Sequence, residues 1–225
     1  MNSLKSGLTN NFIKIIAIIS MTIDHIGLII MDDYTPFRII GRLAFPIFAY
    51  FISEGCFFTR NIKKYFMQLL LVGVISQIIY TSSTGEWYLN ILLTFSFSIL
   101  LIYLFDKLKE YHNGTVYSCI VLLVAFFIIF FLEEVNVNFD YGFIGIITPL
   151  VIYNAPTKQK KILCLSLILV LMSINFTGNY VQFFSLFSIP ILYLYNGERG
   201  KYNLKLFFYL FYPVHLGVLH LISIL

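Results

Sequence analysis

A small set of ionisable or hydroxyl-bearing side chains interrupts long apolar stretches of this 225-residue sequence. Imidazoles can act as general bases or carry an acyl group, and a carboxylate with a guanidinium can form a strong ion pair. Such groups are costly inside a membrane and usually face the protein interior, where they act. These residue types therefore indicate proton or group transfer, if the fold brings them together. They are Asp24, His25, Arg42, Glu54, Tyr212 and His215.

The composition indicates an integral membrane protein. Hydrophobic residues make up 59% of the sequence and charged residues only 12%, whereas about 25% is usual for the charged residues of a soluble domain. Mean hydropathy is +0.86. These values exclude a soluble globule, a disordered chain and a nucleic-acid-binding module. Because the apolar stretches are uninterrupted rather than alternating, they favour helices over a membrane β-barrel.

The sequence predicts an all-α, polytopic transmembrane helical bundle that forms a single domain over residues 1–225. A spanning helix needs about 20 mostly apolar residues, and the segments that begin at 141 and 162 are short for one. The nine predicted spans are 12–31, 38–58, 64–82, 88–106, 116–132, 141–155, 162–176, 180–196 and 205–225.

The loop charges predict an orientation with the N-terminus inside and the C-terminus outside, because cytoplasmic loops are enriched in Lys and Arg. With that alternation, Arg38 is the one basic residue of the outer loops. The outer loops hold the acidic residues Asp32, Asp33, Glu86, Glu133, Glu134 and Asp140. The inner loops hold Lys5, Arg60, Lys63, Lys64, Lys107, Lys109, Lys158, Lys160, Lys161, Arg199, Lys201 and Lys205.

The first two spans provide a predicted ion pair. Adjacent residues of a helix point about 100° apart, so Asp24 and His25 each need a partner of their own. Arg42 has the opposite charge and a similar depth in the neighbouring span, and we expect it to pair with Asp24, whether for chemistry or only for helix packing. Pro46 frees a backbone carbonyl near Arg42, which predicts a kink there, facing a polar cavity.

The last span provides a second imidazole. Tyr212 and His215 are three residues apart and share a helical face, and Pro213 removes a backbone donor beside them. A histidine in a membrane helix can serve packing alone, but histidines in the first and last spans together suggest a common pocket. The histidines, cysteines and acidic residues lack the spacing of a metal site.

The sequence resembles the TraX family of integral membrane proteins, whose namesake acetylates the N-terminus of a conjugative pilin. The resemblance covers nearly the whole chain in order, including NILLTFSFSILL, DYGFIGIITPLVIY, YNGERG and FFYLFYPVHLGVLHL. Its most specific parts are Asp24-His25, the segment GRLAFP from 41 to 46, Glu54-Gly55, and YPVHL from 212 to 216. The family is also distantly similar to the wider transmembrane acyltransferases.

The resemblance implies an acetyltransferase of the bacterial cytoplasmic membrane. Acetyl-CoA would bind at the inner face, and a peptide, glycan or lipid outside would accept the acetyl group on an amine or hydroxyl. His25 would act as general base or carry the acetyl group, with Asp24 and Arg42 holding the geometry or Arg42 stabilising an oxyanion. His215 and Tyr212 would orient the acceptor or relay a proton, and Glu54 would position an inner gate. The cations expected to bind the phosphates of acetyl-CoA are Arg60, Lys63, Lys64, Arg199 and, as further candidates, Lys158, Lys160 and Lys161.

Two other functions fit the same buried polar residues. They could line the path of a small-molecule or ion transporter, although no inverted repeat is visible. They could also be docking pairs in a non-catalytic membrane protein that belongs to a larger assembly.

Overall fold

A computed structural model describes residues 6–31, 33–84, 87–175 and 180–225, and these are almost entirely helical. The α-helices are α1 (Asn10–Ile29), α2 (Thr35–Gly41), α3 (Ala44–Phe58), α4 (Ile62–Thr84), α5 (Ile91–Leu108), α6 (Gly114–Glu134), α7 (Gly142–Asn154), α8 (Lys158–Asn175), α9 (Ser188–Tyr193) and α10 (Lys205–Ile224). A 3₁₀ segment (Tyr180–Phe187) precedes α9, and the two-residue strands β1 (Tyr88–Leu89) and β2 (Asn138–Phe139) pair in parallel.

The protein is a multi-pass membrane protein by the length and apolarity of its helices. Six helical stretches among the described residues are long and apolar enough to cross a membrane: Asn10–Ile29, Thr35–Phe58, Ile62–Ser82, Ile91–Leu108, Gly114–Glu134 and Lys205–Ile224. Gly142–Asn154 and Tyr180–Tyr193 are apolar but shorter, and α8 carries three lysines in its first turn. The total of nine crossings and the orientation stay predictions. Three of the charges assigned to loops, those of Lys5, Asp32 and Glu86, lie outside the described residues.

The predicted single span from 38 to 58 is two helices. The helix starts earlier, at Thr35 with Pro36 in its first turn, and is interrupted at Arg42 and Leu43 before α3 begins. Pro46 has no N–H to donate to the Arg42 carbonyl, so one hydrogen bond of the α-helical ladder is missing at this point. The helix is therefore interrupted where Pro46 predicts a kink, and the polar cavity that this kink would face stays a prediction.

The chain divides into two compact units, and the division falls within α3. The first unit comprises Met1–Phe51 and Ala155–Leu225, and the second comprises Ile52–Asn154. Whether both belong to one domain, as the sequence predicts, stays a prediction.

In the second unit, α4 to α7 alternate in direction. The parallel pair β1–β2 joins the α4–α5 and α6–α7 connections at one end. At the other end, the hydroxyl of Tyr153 near the end of α7 donates to Asp106 near the end of α5 at 2.6 Å.

In the first unit, the N-terminal ends of α1 and α8 meet the C-terminal end of α9. The backbones of Leu8 and Leu194 are hydrogen-bonded at 2.8 Å, and Lys158 Nζ donates to the carbonyls of Tyr193 and Tyr195. The α10 helix also begins here, because the Asn11 amide donates to the Tyr202 carbonyl at 2.7 Å. We name this end the basic end, after Lys158, Arg199, Lys201 and Lys205. The first and last helices therefore start together, as they do in the predicted topology.

Candidate active site

The carboxylate of Asp24 binds two guanidinium groups at the end of α1 farthest from the basic end. Arg42 Nη2 donates to Asp24 Oδ1 at 3.4 Å, and Arg38 Nη1 donates to Asp24 Oδ2. Arg38 Nε also lies 3.0 Å from Oδ1 of Asp33. The predicted ion pair of Asp24 with Arg42 is therefore present, within a larger cluster of charges.

The sequence did not predict that Arg38 belongs to this cluster. It was assigned to an outer loop, but it lies in α2, where its side chain is largely buried against Asp24. The spacing carried the signal: residues four apart lie on one face of a helix, so any helix that begins before 38 presents Arg38 and Arg42 together.

The ion cluster depends on an unusually close approach of α1 and α2. A Cβ atom added to Gly41 would lie 1.9 Å from Asp24 Oδ1, and one added to Gly27 would lie 2.6 Å from the Phe37 Cβ. The hydroxyl of Ser20 donates to the Ile40 carbonyl at 2.6 Å, which ties α1 to the last turn of α2.

We expect Gly41→Ala to lower the free energy of unfolding by about 1–3 kcal/mol, the usual cost of overpacking. The matched control is Gly217→Ala in α10, where an added Cβ meets no atom of the described residues within 4 Å. Alanine is favoured over glycine in a helix by roughly 0.5–1 kcal/mol, so this control should be neutral or stabilising. Unfolding by SDS in mixed micelles measures both variants, and equal stability would show that the close approach is not required.

The two predicted imidazoles are in direct contact. His25 Nδ1 lies 2.7 Å from His215 Nε2, and the rings are nearly parallel, with centroids 5.0 Å apart. The Phe211 ring lies nearly parallel to His215, with the ring centroids 5.1 Å apart. The Tyr212 ring stands edge-on to both imidazoles, at 6.3 Å from His25 and 5.3 Å from His215. The first and last helices therefore bring these side chains together, as the sequence suggested.

The hydrogen bonds determine where the protons lie in the neutral pair. His215 Nδ1 lies 3.0 Å from the Phe211 carbonyl, which can only accept, so this nitrogen carries a proton. In a neutral imidazole the other nitrogen is then an acceptor, and His25 Nδ1 must donate to it. His25 Nε2 is consequently left as an unprotonated nitrogen, which is the form that a general base needs.

The α10 helix runs unbroken through Pro213. The backbone donor that Pro213 lacks is the one that would bind the Tyr209 carbonyl, and a single missing donor does not end this helix. The Phe211 carbonyl accepts from the imidazole of His215 one turn later.

Two cations of the first unit lie toward the basic end from His25: Arg199 at the basic end itself, and Lys14 on α1. Arg199 is exposed in the loop before α10, where its Nη2 donates to Asn203 Oδ1 at 2.6 Å. The ammonium of Lys14 lies between aromatic rings, 5.1 Å from that of Phe51 and 5.5 Å from that of Phe208. Because Lys14 and His25 are eleven residues apart, they share one face of α1 at a separation of about 16 Å.

Four further predicted site residues belong to the second unit. Glu54 is half-buried in α3, and Arg60 is exposed just after that helix. Lys63 and Lys64 are exposed in the first turn of α4, where Lys63 Nζ lies 5.6 Å from the centre of the Tyr103 ring. Their predicted roles stay predictions. Within the described ranges, no three His, Cys, Asp or Glu residues are grouped as a metal site would require.

Residues 9–223 of the chain match the family described as TraX protein. The chain is 27% identical over 238 residues to the probable fimbrial assembly protein FimC, serogroup H1, of Dichelobacter nodosus, and the match covers 92% of each chain. It is also 32% identical over 118 residues to an uncharacterized protein of Rickettsia prowazekii (strain Madrid E), covering 51% of this chain and 45% of that one. No solved structure matches the chain significantly.

Proposed function

Because this chain belongs to the TraX family, we propose that it is an acetyltransferase of the bacterial cytoplasmic membrane. It moves an acetyl group from cytoplasmic acetyl-CoA to an amine or hydroxyl of a peptide, glycan or lipid on the other side. The observation that supports this proposal most strongly is the hydrogen bond between His25 and His215, because it leaves an imidazole nitrogen free to accept a proton inside a membrane helix bundle.

The proposed step needs one base. The acceptor amine or hydroxyl gives a proton to His25 Nε2 while its nitrogen or oxygen forms a bond to the acetyl carbonyl carbon. The carbon–sulfur bond of the thioester then breaks, and the thiolate leaves with the proton from the imidazolium. A base that is deprotonated before the reaction avoids a separate activation step. His215 holds the tautomer of His25, because its own Nδ1–H donates to the Phe211 carbonyl.

The ion cluster positions this base. Asp24 is the neighbour of His25 on α1, and its two bonds to Arg38 and Arg42 fix that turn of the helix against α2. Arg42 is at the helix break, where a guanidinium could also stabilise the oxyanion that forms on the acetyl group. The Tyr212 ring packs edge-on against both imidazoles, and in the proposed reaction it orients the acceptor.

The donor side of the proposal relies on exposed cations. The phosphates of acetyl-CoA would bind Arg199 in the first unit, because charge-assisted bonds to phosphate are strong. For Arg60, Lys63 and Lys64 of the second unit, phosphate binding stays a prediction from the sequence. Lys14 supplies a further cation at a depth between the basic end and His25. Glu54 retains its proposed role at an inner gate.

We expect Arg199→Gln to raise the KM for acetyl-CoA about tenfold with little change in kcat, because a hydrogen bond to a charged group contributes roughly 1.5–3 kcal/mol. The matched control is Lys109→Gln, which removes an exposed cation that pairs with Asp106 on α5 and is not a proposed phosphate ligand. Steady-state kinetics with labelled acetyl-CoA measure both. A change in kcat alone, or equal effects in both variants, would exclude Arg199 from donor binding.

The proposed activity is tested with the purified protein in lipid nanodiscs and acetyl-CoA labelled in the acetyl group. We expect release of free CoA, together with label in water-soluble acetate or in an added amine or hydroxyl acceptor. Empty nanodiscs provide the background. Protein that binds acetyl-CoA and releases no thiol with any class of acceptor would refute the proposal.

A non-catalytic role in assembly is the second candidate, because the Dichelobacter relative is named a probable fimbrial assembly protein. In that role, the ion cluster and the imidazole pair would only hold helices together. Stable co-purification with one partner protein, without thiol release from acetyl-CoA, would favour this candidate.

A further inference from the structure

The 3₁₀ segment before α9 carries two buried polar side chains on one face. Residues three apart in a 3₁₀-helix lie above one another, about 6 Å apart along the axis, and Gln182 and Ser185 have this spacing. Gln182 is 5% exposed and Ser185 is fully buried. The segment belongs to the first unit, where it packs against α2 and α8.

Neither polar group has a hydrogen-bond partner among the described residues. Three buried side-chain atoms of those residues are unpaired, and two of them are Gln182 Nε2 and Ser185 Oγ. The neighbouring Ser188 is paired, because its hydroxyl donates to the Ser185 carbonyl at 2.7 Å. An unpaired buried polar group destabilises a protein, and such groups are expected at functional sites, where a ligand completes the hydrogen bonds.

The two groups lie nearer to the basic end than the imidazole pair does. The backbones of Leu8 and Leu194 are hydrogen-bonded there, so distances along both chain segments can be counted from this point. With rises of about 1.5 Å per α-helical residue and about 2.0 Å per 3₁₀ residue, His25 is about 25 Å from this end, Gln182 about 20 Å and Ser185 about 14 Å.

The donor of the proposed reaction has hydrogen-bond acceptors at the same depths. The pantetheine arm of acetyl-CoA contains two amide groups, whose carbonyl carbons are four and eight bonds from the thioester sulfur. At roughly 1.2 Å per bond of an extended chain, these carbons lie about 5 Å and about 10 Å from the sulfur. A thioester at His25 therefore places one carbonyl near the level of Gln182 and the other near that of Ser185.

We propose that Gln182 and Ser185 bind the two amide carbonyls of the pantetheine arm, with Gln182 on the carbonyl nearer the thioester. A side-chain amide and a hydroxyl can both donate to a carbonyl oxygen. The arm is uncharged but polar, so its burial among apolar helices is favourable only where such donors replace water. This inference rests on the proposed acetyl transfer and assigns two positioning residues to it, which hold the thioester at the depth of the base.

Binding is tested by calorimetric titration of the purified protein in nanodiscs with coenzyme A. We expect Gln182→Leu and Ser185→Ala each to raise the Kd about three- to tenfold, the usual effect of losing a hydrogen bond between uncharged groups. Adenosine 3′,5′-bisphosphate, which lacks the arm, should bind as it does to the unmodified protein. The matched control is Ser173→Ala, because the buried hydroxyl of Ser173 already donates to the Leu169 carbonyl at 2.7 Å. An unchanged Kd for coenzyme A in both variants, or an equal loss with the bisphosphate, would overturn the inference.

Shortened donors test which side chain binds which carbonyl. S-acetyl-N-acetylcysteamine keeps only the amide nearer the sulfur, and S-ethyl thioacetate keeps neither. Gln182→Leu should lower kcat/KM about three- to tenfold for acetyl-CoA and for the cysteamine thioester, whereas Ser185→Ala should lower it for acetyl-CoA alone. Losses that are equally large with S-ethyl thioacetate would assign both residues to packing and overturn the inference.

Stability distinguishes a ligand-binding amide from a structural one. Gln182→Leu should unfold at the same or a higher SDS fraction, because it removes an unpaired buried amide. Gln77→Leu in α4 should unfold at a lower fraction, since that amide donates to Thr81 Oγ1 and to the Tyr88 carbonyl at 3.0 Å each. An equal loss of stability in both variants would show that the Gln182 amide is paired within the protein, against the inference.

The outcomes separate the inference from the function on which it rests. Acetyl transfer with unchanged donor kinetics in both variants would overturn the two binding residues and leave the acetyltransferase standing. Coenzyme A binding that depends on Gln182 and Ser185, without thiol release under any condition, would overturn the acetyltransferase and leave the binding site.

Discussion

His25→Ala should lower the rate of acetyl transfer by about 10²–10⁴-fold, the range typical for loss of a general base. The effect should be on kcat, because the imidazole accepts its proton during the chemical step and the phosphates of acetyl-CoA bind elsewhere. Initial rates of thiol release from acetyl-CoA at saturating donor measure it. Retention of more than about half of the activity would exclude His25 from the chemistry.

Two comparisons distinguish a chemical role from a structural one. His220→Ala removes another half-buried histidine of α10. It is five residues beyond His215 and on a different face of the helix, and the variant should keep full activity. His215→Gln retains an oxygen that can accept the proton of His25 Nδ1, whereas His215→Leu retains none. We therefore expect the glutamine variant to be more active than the leucine variant. Equal activity of the two would show that the His25 tautomer is not held by this bond.

Asp24→Asn should lower the free energy of unfolding by about 3–5 kcal/mol, because it leaves two largely buried guanidinium groups without their shared carboxylate. The asparagine side chain has nearly the same volume, so packing is preserved. The loss of stability is then caused by removal of the negative charge. SDS-induced unfolding in mixed micelles measures it. Acetyl transfer should fall as well, since the turn of α1 that holds His25 loses its attachment to α2.

The matched control is Glu110→Gln, which removes the carboxylate of an exposed pair with Lys107 and should cost at most about 1 kcal/mol. A double-mutant cycle of Asp24→Asn with Arg42→Gln isolates the buried pair, and we expect a coupling energy of about 0.5–3 kcal/mol. Additive effects would mean that Arg38 alone holds the carboxylate.

Much of the candidate site could be predicted because buried charge in a membrane is so costly. Opposite charges at similar depth in neighbouring spans have few alternatives to pairing, which is why Asp24 and Arg42 could be matched. The break near Arg42 followed from Pro46, whose missing N–H has a fixed consequence for the carbonyl four residues earlier. Histidines in the first and last spans indicated a common pocket, and the structure places them in contact.

What could not be predicted depended on where helices begin and how they pack. Arg38 was assigned to a loop because hydropathy marks the apolar part of a helix and not its polar first turn. The predicted span from 180 to 196 is a 3₁₀ segment followed by the short α9, and apolarity alone does not distinguish these forms. Glu54 follows Gly41–Pro46 on the same predicted span, yet the division of the chain places it in the other unit.

The separation of His25 and His215 along the chain has a consequence for biogenesis. The two imidazoles are 190 residues apart, and at ribosomal rates of about 5–20 residues per second that distance takes roughly 10–40 s to synthesise. During this interval, α1 is already in the translocon or the bilayer without its partner. A chain that stalls before α10 therefore presents a lone imidazole, so the proposed acetyl transfer would begin only after insertion is complete.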